Sequence, residues 1–461
     1  MKKHRKIILG IIVLIIYSFG LVKITNSAPV ASGFKTNDQE LSRFIENYNY
    51  LKENWVFFKD EKTVINAATD AMSNSAGDND HYTGYIPADQ QAEYFSALES
   101  EFVGIGVQYM KGSQYPIVSN VFVNAPADKA GIKTGDSIVS ANGKSLKGLE
   151  QDKVKKAISG EDGTSVKLEL LRNNKKVNVS VKREKIEASV HYQKMDNKGY
   201  LKIEDFTKTT PAEVESALKY FQKEKIKDII IDVRDNPGGY LDALEEIADL
   251  FMPANKVVLK AKDVKGKVVE YKTRDNDYYK GNYVLLTNKN SASASEAFVS
   301  SLNENMDIPI MGETTFGKGI MQSFKEYSDG SYLKFTSAEW LTPNDNHINK
   351  KGVKPTKEVK DSAIYAAKAY PFSLEKDIKF DTVSTNLISY QKTLKALGYN
   401  IDRVDGYYSS KTAQAVNKFK KDNGLGSEKD LSLKVQDKVI EKLFIEWSKQ
   451  SNDYVLKEAL K

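Results

Sequence analysis

The sequence predicts a multidomain α/β protein. Three observations predict it: 461 residues exceed what one core ordinarily organises, residues 190–360 alternate buried strands with helices, and the stretches flanking them are patterned differently, one β-rich and one helical. Hydrophobic residues make up 40% and charged residues 28%, a balance that suits globular modules. The net charge of +6 is small against 68 basic and 62 acidic residues, and no basic run is interleaved with aromatics, so nucleic acid is not indicated as a partner. With no cysteine there is no thiol nucleophile, no thiolate metal site and no disulfide. Four histidines, His4, His81, His191 and His347, leave few candidates for an imidazole base.

Taken in order, residues 1–6 (Met-Lys-Lys-His-Arg-Lys) form a basic flank to the apolar run Ile7–Val22. That arrangement predicts a retained signal anchor over 7–23, with residues 1–6 cytoplasmic and the remainder outside the cell membrane. Residues 24–98 read as a linker followed by a helical region, with Leu41, Phe44, Ile45, Tyr48 and Leu51 on one stripe. Residues 99–186 change to short β-rich runs divided by glycine turns, with one short helix near 150–158. The body at 187–365 holds two continuous apolar strands, Lys227–Val233 and Asn282–Thr287, each followed by a helical stretch, at 240–252 and 294–305. Beyond a charged, proline-containing connector, residues 381–447 form a small helical unit. There Leu387, Tyr390, Leu394 and Leu397 share a face closed by Gly398, and Ala415, Val416 and Phe419 mark a second helix.

Three constellations in the α/β body carry chemistry. In Asp232-Val-Arg-Asp-Asn-Pro-Gly-Gly239 a buried strand runs into a glycine turn and then a helix, which exposes backbone N–H groups where negative charge is stabilised. Such groups suit an oxyanion, and the same spacing fits a plain strand-to-helix turn. In Asn290-Ser-Ala-Ser-Ala-Ser-Glu-Ala-Phe298 serines alternate with alanines just before a helix, so a hydroxyl is accessible beside a favourable dipole. Ser293 and Glu296 also have the spacing of a capping box, and taken alone the segment fits a helix cap better than a nucleophile. In Phe316-Gly-Lys-Gly-Ile-Met-Gln322 a lysine sits between glycines. Such a residue is normally a surface turn, and it becomes a base only if burial keeps the amine neutral. Gln322, four residues on, falls on the side of Lys318 and is placed to orient the amine. No Gly-x-Ser-x-Gly elbow and no His-Glu-x-x-His helix is present. Ser331-Tyr-Leu-Lys334 and Ser373-Leu-Glu-Lys376 match the short Ser-x-x-Lys pattern of penicillin-binding acyl transferases, without the companion motifs of those enzymes.

Together the three motifs resemble those of the carboxyl-terminal processing peptidases, the tail-specific serine proteases. The match lies at Asp232–Gly239, at Ser291-Ala-Ser-Ala-Ser-Glu296 and at Gly312-Glu-Thr-Thr-Phe-Gly-Lys-Gly319. Asn349-Lys-Lys-Gly-Val-Lys-Pro355 is similar to the segment that closes the family's core, with Thr356 where an aspartate is usual. The resemblance implies a serine endopeptidase in which Ser293 attacks, Lys318 is the general base, Gln322 orients it, and the Gly239 and Ala294 N–H groups hold the oxyanion, with no metal or cofactor. The β-rich module resembles a PDZ domain, with Ala127-Asp-Lys-Ala-Gly-Ile132 and Gly135-Asp-Ser-Ile138 at its core and Phe102-Val-Gly-Ile-Gly-Val107 as its carboxylate-binding loop. Gly104, Ile105, Gly106 and Val107 would there receive the C-terminus of a protein substrate added as a strand. The tail resembles a two-repeat helical peptidoglycan-binding domain through Gln391, Leu394, the Asp405-Gly-Tyr-Tyr408 turn, Thr412, Val416 and Phe419. The expected partners are protein C-termini, peptidoglycan, the membrane and a second copy of the chain. The expected place is the outer face of the cell membrane, toward the wall. The contrary expectation is a non-catalytic scaffold, tethered to the wall and binding C-termini through the PDZ module.

Overall fold

Three consecutive isoleucines at 229–231 need cover on both sides of a sheet, and the architecture follows from how that cover is supplied. The computed structural model describes residues 39–461 apart from 99–101, 123–124, 174, 187–188, 275–276, 369–371, 373–375, 427 and 429. The central sheet runs Val190–Met195, Lys198–Ile203, Asp228–Asp232, Asn282–Thr287, Ile310–Gly312 and Lys357–Glu358 in spatial order. Its first two strands form an antiparallel hairpin and the remaining pairs are parallel. Alternate residues serve alternate faces. Ile229, Ile231 and Leu285 enter the main core with the helices Thr210–Lys223, Leu241–Phe251 and Ala294–Met306. Ile230 and Leu286 face the other way, against Val455, Leu456 and Ala459 of the last helix, Tyr454–Ala459. Burial of Val455 and Leu456 contributes roughly 1.5–3 kcal/mol each toward holding that helix on the sheet.

A second, antiparallel sheet joins Tyr332–Leu341 to Val257–Asp263, Ile320–Glu326 and the short strand Gly84–Ile86. That short strand corrects the expectation of a wholly helical region before residue 98. Gly84 pairs with Lys334 and Ile86 with Tyr332, partners some 250 residues away in the chain that no local pattern signals. The helices Gln39–Asn54 and Glu61–Ser73 form as the periodicity predicts. Of the stripe on the first, Tyr48 meets the Phe58 ring edge-on at 6.5 Å, while Phe44, Ile45 and Leu51 are exposed.

The strands Phe102–Gly104 and Glu184–Ile186 pair, so the β-rich module enters and leaves the body side by side. Between them a sheet from Val107–Met110 to Lys175–Lys182 packs with the helix Gln151–Ile158 over Val118, Ile138, Leu168, Leu170 and Val181. The helical unit comprises Thr385–Ala396, Ser410–Asp422 and Leu433–Trp447 around Leu387, Tyr390, Leu394, Val416, Phe419 and Val439. Ile117 of the β-rich module enters this core too, and Asp437 accepts a hydrogen bond from the Ser113 N–H at 2.6 Å. No helix among the described residues is long and apolar enough to cross a membrane. The expected anchor at 7–23 lies outside the described residues.

Candidate active site

The Ala292-Ser-Ala294 segment leaves the sheet and enters the helix Ala294–Met306 through a turn in which Ser293 has φ 59° and ψ −117°. For a residue with a Cβ this is a costly conformation, worth roughly 1–3 kcal/mol and usually retained only where the surroundings enforce it. Enforcement comes from Glu296, whose carboxylate accepts the Ser293 N–H at 2.8 Å. Ser293 and Glu296 stand in capping-box relation. The Ser293 Oγ is buried, and among the described residues it has no hydrogen-bond partner outside that box, so the Lys318 amine does not bond it in this conformation.

The second segment is pressed inward at Gly317-Lys-Gly319. A Cβ on Gly319 would stand 2.4 Å from the Asn349 N, so only glycine lets this loop lie against residues 349–352. The Trp340 indole donates to the Lys318 carbonyl at 2.9 Å, and the Lys318 Nζ lies over the Tyr82 ring, 4.4 Å from its centroid. Lys318 is 1% exposed. Burial lowers its pKa to about 7, helped by the nearby Lys334 ammonium and opposed by Glu296 and Asp80. The surface-turn reading of Gly-Lys-Gly is therefore set aside. Gln322 follows in Ile320–Glu326 after a β-bulge between Met321 and Gln322, so the bulge, not simple four-residue spacing, sets its direction. Its Nε2 donates to the Thr336 Oγ1 at 3.3 Å, and its buried Oε1 has no partner among the described residues.

Glu296 fastens the two segments together. Its Oε1 accepts from the Thr315 hydroxyl at 2.5 Å and the Gly317 N–H at 2.7 Å, and its Oε2 accepts the Lys318 N–H at 2.8 Å besides that of Ser293. Burial raises its pKa while these bonds hold it down. Sequence reasoning gave Glu296 only a capping role. Nothing local signals that its carboxylate reaches Gly317 and Lys318, 21 and 22 residues on.

The glycine turn packs directly on the serine. A Cβ on Gly238 would come within 2.8 Å of the Ser293 Cβ and 2.9 Å of the Ala294 N. Gly239 is bridged to Phe206 through Tyr240 N–H to Phe206 O at 2.7 Å and Phe206 N–H to Gly238 O at 2.9 Å. Among the described residues neither the Gly239 nor the Ala294 N–H is taken by an acceptor. Gly238→Ala is accordingly expected to displace the Ser293 turn and cut kcat/KM on a flexible protein at least about 100-fold, since small misplacements at a reacting atom cost that much. Circular dichroism should show the fold retained. Full activity in that variant would contradict the packing described.

The remaining sequence candidates are placed apart from this cluster. Gly104 ends one strand, Ile105 is buried in the β-rich core, its carbonyl accepting the Ala127 N–H at 2.8 Å, and Val107 opens the next strand. His191 stacks on Phe122, and His347 pairs with Glu339 at 2.9 Å. The Ser331 hydroxyl is engaged by Asp329 at 2.6 Å, which removes it as a Ser-x-x-Lys nucleophile. Thr356 bonds the Ile310 N–H and carbonyl at 2.9 and 3.0 Å, a strand-edge role that requires no aspartate.

An α/β body with a bulky β-rich insertion, a helical tail and this serine–lysine–glutamate arrangement defines a modular serine peptidase. Comparison with known proteins agrees: residues 197–359 match the model of peptidase family S41, residues 103–182 that of a PDZ domain, and residues 384–427 that of a peptidoglycan binding domain. The chain is 32% identical over 428 residues to a probable CtpA-like serine protease of Staphylococcus aureus (strain COL), covering 92% of this chain and 85% of that one. It is likewise 32% identical over 421 residues to the carboxy-terminal processing protease CtpA of Bacillus subtilis (strain 168), covering 91% and 88%. Among solved structures it is similar to a photosystem II D1 C-terminal processing protease, with 25% identity, a TM-score of 0.44, and coverage of 69% of this chain and 87% of that one. The chain belongs to peptidase family S41, the carboxy-terminal processing serine proteases. The non-catalytic scaffold is thereby set aside.

Proposed function

We propose that Ser293 is the nucleophile and Lys318 the general base of this protease. The observation that carries the reading is Glu296, a single buried carboxylate bonded to the backbone of both residues. The neutral Lys318 amine takes the hydroxyl proton as the Ser293 Oγ attacks the substrate carbonyl carbon. The oxyanion formed accepts from the Gly239 and Ala294 N–H groups. When the intermediate collapses the C–N bond breaks, the Lys318 ammonium gives its proton to the leaving amine, and an acyl-enzyme on Ser293 remains. Water, deprotonated by Lys318, attacks the ester, and Ser293 leaves with a proton returned from the lysine. Gln322 Oε1 has no partner among the described residues in this conformation, and it accepts from the Lys318 amine and directs it once the covering residues shift. Ser293 has no exposed surface in this conformation, so a peptide reaches it only after the covering residues shift.

Substrates enter by their C-termini, which the PDZ domain binds through the N–H groups of Gly104, Ile105, Gly106 and Val107. The chain works outside the cell membrane, anchored by residues 7–23 and held to peptidoglycan by residues 381–447, with self-association through the region before residue 98. Support for the anchor is the basic flank and apolar run of the sequence. Support for the wall is the match of residues 384–427. Support for self-association is the exposed apolar stripe of Phe44, Ile45 and Leu51. The test is proteolysis of a flexible, unfolded protein by the wild-type chain and by Ser293→Ala. Cleavage should vanish in the variant, and equal cleavage by both would refute the assignment of the nucleophile.

A further inference from the structure

The C-terminal segment beyond the wall-binding helices reaches the oxyanion turn. Arg234, two residues after the strand Asp228–Asp232, is 6% exposed, and its guanidinium is gripped from two sides. Asp232 takes Nε at 3.0 Å and Nη2 at 2.6 Å. Asp453 takes Nη1 and Nη2, each at 2.8 Å, a second bidentate pair on the same fork. Asp453 is itself fixed: it caps the helix Tyr454–Ala459 by accepting the Leu456 N–H at 2.8 Å, and the Tyr365 hydroxyl donates to it at 3.1 Å. Asp361 stands 3.9 Å from the same guanidinium, and Lys202 bonds the Arg234 carbonyl.

Immediately after Arg234 the chain enters a strained turn. Asp235, Gly238 and Gly239 all have positive φ, at 61°, 108° and 149°. Asn236 ties the turn to the nucleophile: its side chain accepts the Gly238 N–H at 2.8 Å, while its carbonyl accepts the Ala292 N–H at 2.9 Å and the Ser295 hydroxyl at 3.0 Å. The turn is held from within by Asn236 and by Asn288, whose side chain accepts the Asp235 N–H at 2.9 Å, and at its start by Arg234. Asp232, to which the Tyr200 hydroxyl donates at 2.8 Å, ties the guanidinium to its own sheet. Asp453 ties it to a second element, because its helix comes from the far end of the sequence and packs on the sheet face opposite the main core.

We infer that Asp453 is a positioning residue for peptide hydrolysis: by clamping Arg234, the segment 448–461 holds the Gly239 N–H where the oxyanion forms. The inference rests on Ser293 as nucleophile and Gly239 as oxyanion donor. It makes the last fourteen residues part of the protease, although they lie beyond every stretch that the family models match.

The test uses the full chain with three substitutions, each compared with wild type and with Ser293→Ala by steady-state kinetics on a peptide substrate. Asp453→Asn should lower kcat at least about tenfold with KM within about twofold, because an oxyanion contact acts in the transition state alone. Asp453→Glu, which keeps the carboxylate, should recover part of that loss. Leu456→Ala weakens the packing of the same helix on the sheet while leaving the Asp453 carboxylate in place, and should lower the melting temperature with a smaller loss of kcat per folded molecule than Asp453→Asn. A wild-type kcat in Asp453→Asn overturns the inference and leaves the site assignment standing. An equal loss of kcat in Leu456→Ala reduces Asp453 to docking and also overturns it. Cleavage by Ser293→Ala overturns the site assignment, and the inference with it.

Discussion

Replacing Lys318 by methionine is expected to abolish peptide cleavage and to raise the melting temperature of the same protein. The amine is buried, and its pKa falls from 10.5 to about 7. An unfolded chain holds that proton up to about pH 10.5, whereas the folded chain releases it near 7. Below pH 7 the protein therefore carries the full cost of a buried ammonium, at most about 5 kcal/mol given about 1.4 kcal/mol for each tenfold change in proton affinity. As pH rises from 7 toward 10.5 the cost fades, so stability attributable to this group increases with pH. Methionine has similar volume and no charge to desolvate, and it should melt at least about 2 °C above wild type at pH 6. The gain should shrink at pH 9.5. The same ionisation governs catalysis: wild-type kcat/KM should rise about tenfold per pH unit below 7 and level off above it. Residual turnover in Lys318→Met, or a melting difference that does not change with pH, would remove lysine from the base role.

How much of the fold and site was legible in the sequence depends on the range of each signal. The strand at 227–233, the helix after Ser293 and the glycine turn at 238–239 are local patterns of apolar runs and breakers, and the structure places them within a residue or two. Ser293 and Lys318 were identifiable as a pair only through the resemblance of their motifs, because both fit bland roles when read singly. The observations that bear on those roles are long-range. Lys318 is buried because Gly319 admits the backbone of Asn349 and because Tyr82 covers the amine, and neither neighbour is near it in sequence. The strand Gly84–Ile86 is three residues long and is defined by its partner on Tyr332–Leu341. The helix Tyr454–Ala459 is six residues long, too short for a periodic signal, yet it supplies the cover that Ile230 and Leu286 require.

Glu296 connects local sequence to catalytic geometry most directly, and its substitution should have a two-part signature. Four donors converge on its carboxylate, from Ser293, Thr315, Gly317 and Lys318. In Glu296→Gln one oxygen becomes an amide NH2, which cannot accept. If the remaining oxygen keeps Ser293 and Lys318, the Thr315 hydroxyl can turn to accept, but the Gly317 N–H is left buried without a partner at a cost of about 1–3 kcal/mol. The Gly-Lys-Gly loop then loosens, and the plateau rate should fall about 10- to 100-fold. Charge moves the other way. Glu296 raises the Lys318 pKa by attraction, so neutralising it should let that pKa fall further, and the acid limb of the pH–rate profile should move below its wild-type position near 7. A slower enzyme whose base titrates at lower pH is hard to obtain by partial unfolding, which lowers the rate at every pH alike. Glu296→Ala strands all four donors and should destabilise the chain by several times the cost of one, about 4 kcal/mol or more. Kinetics of the glutamine variant between about pH 5.5 and 9 decide the matter: an unshifted limb would mean that the carboxylate does not sense the lysine, and an unchanged plateau would mean that it does not hold the two segments in register.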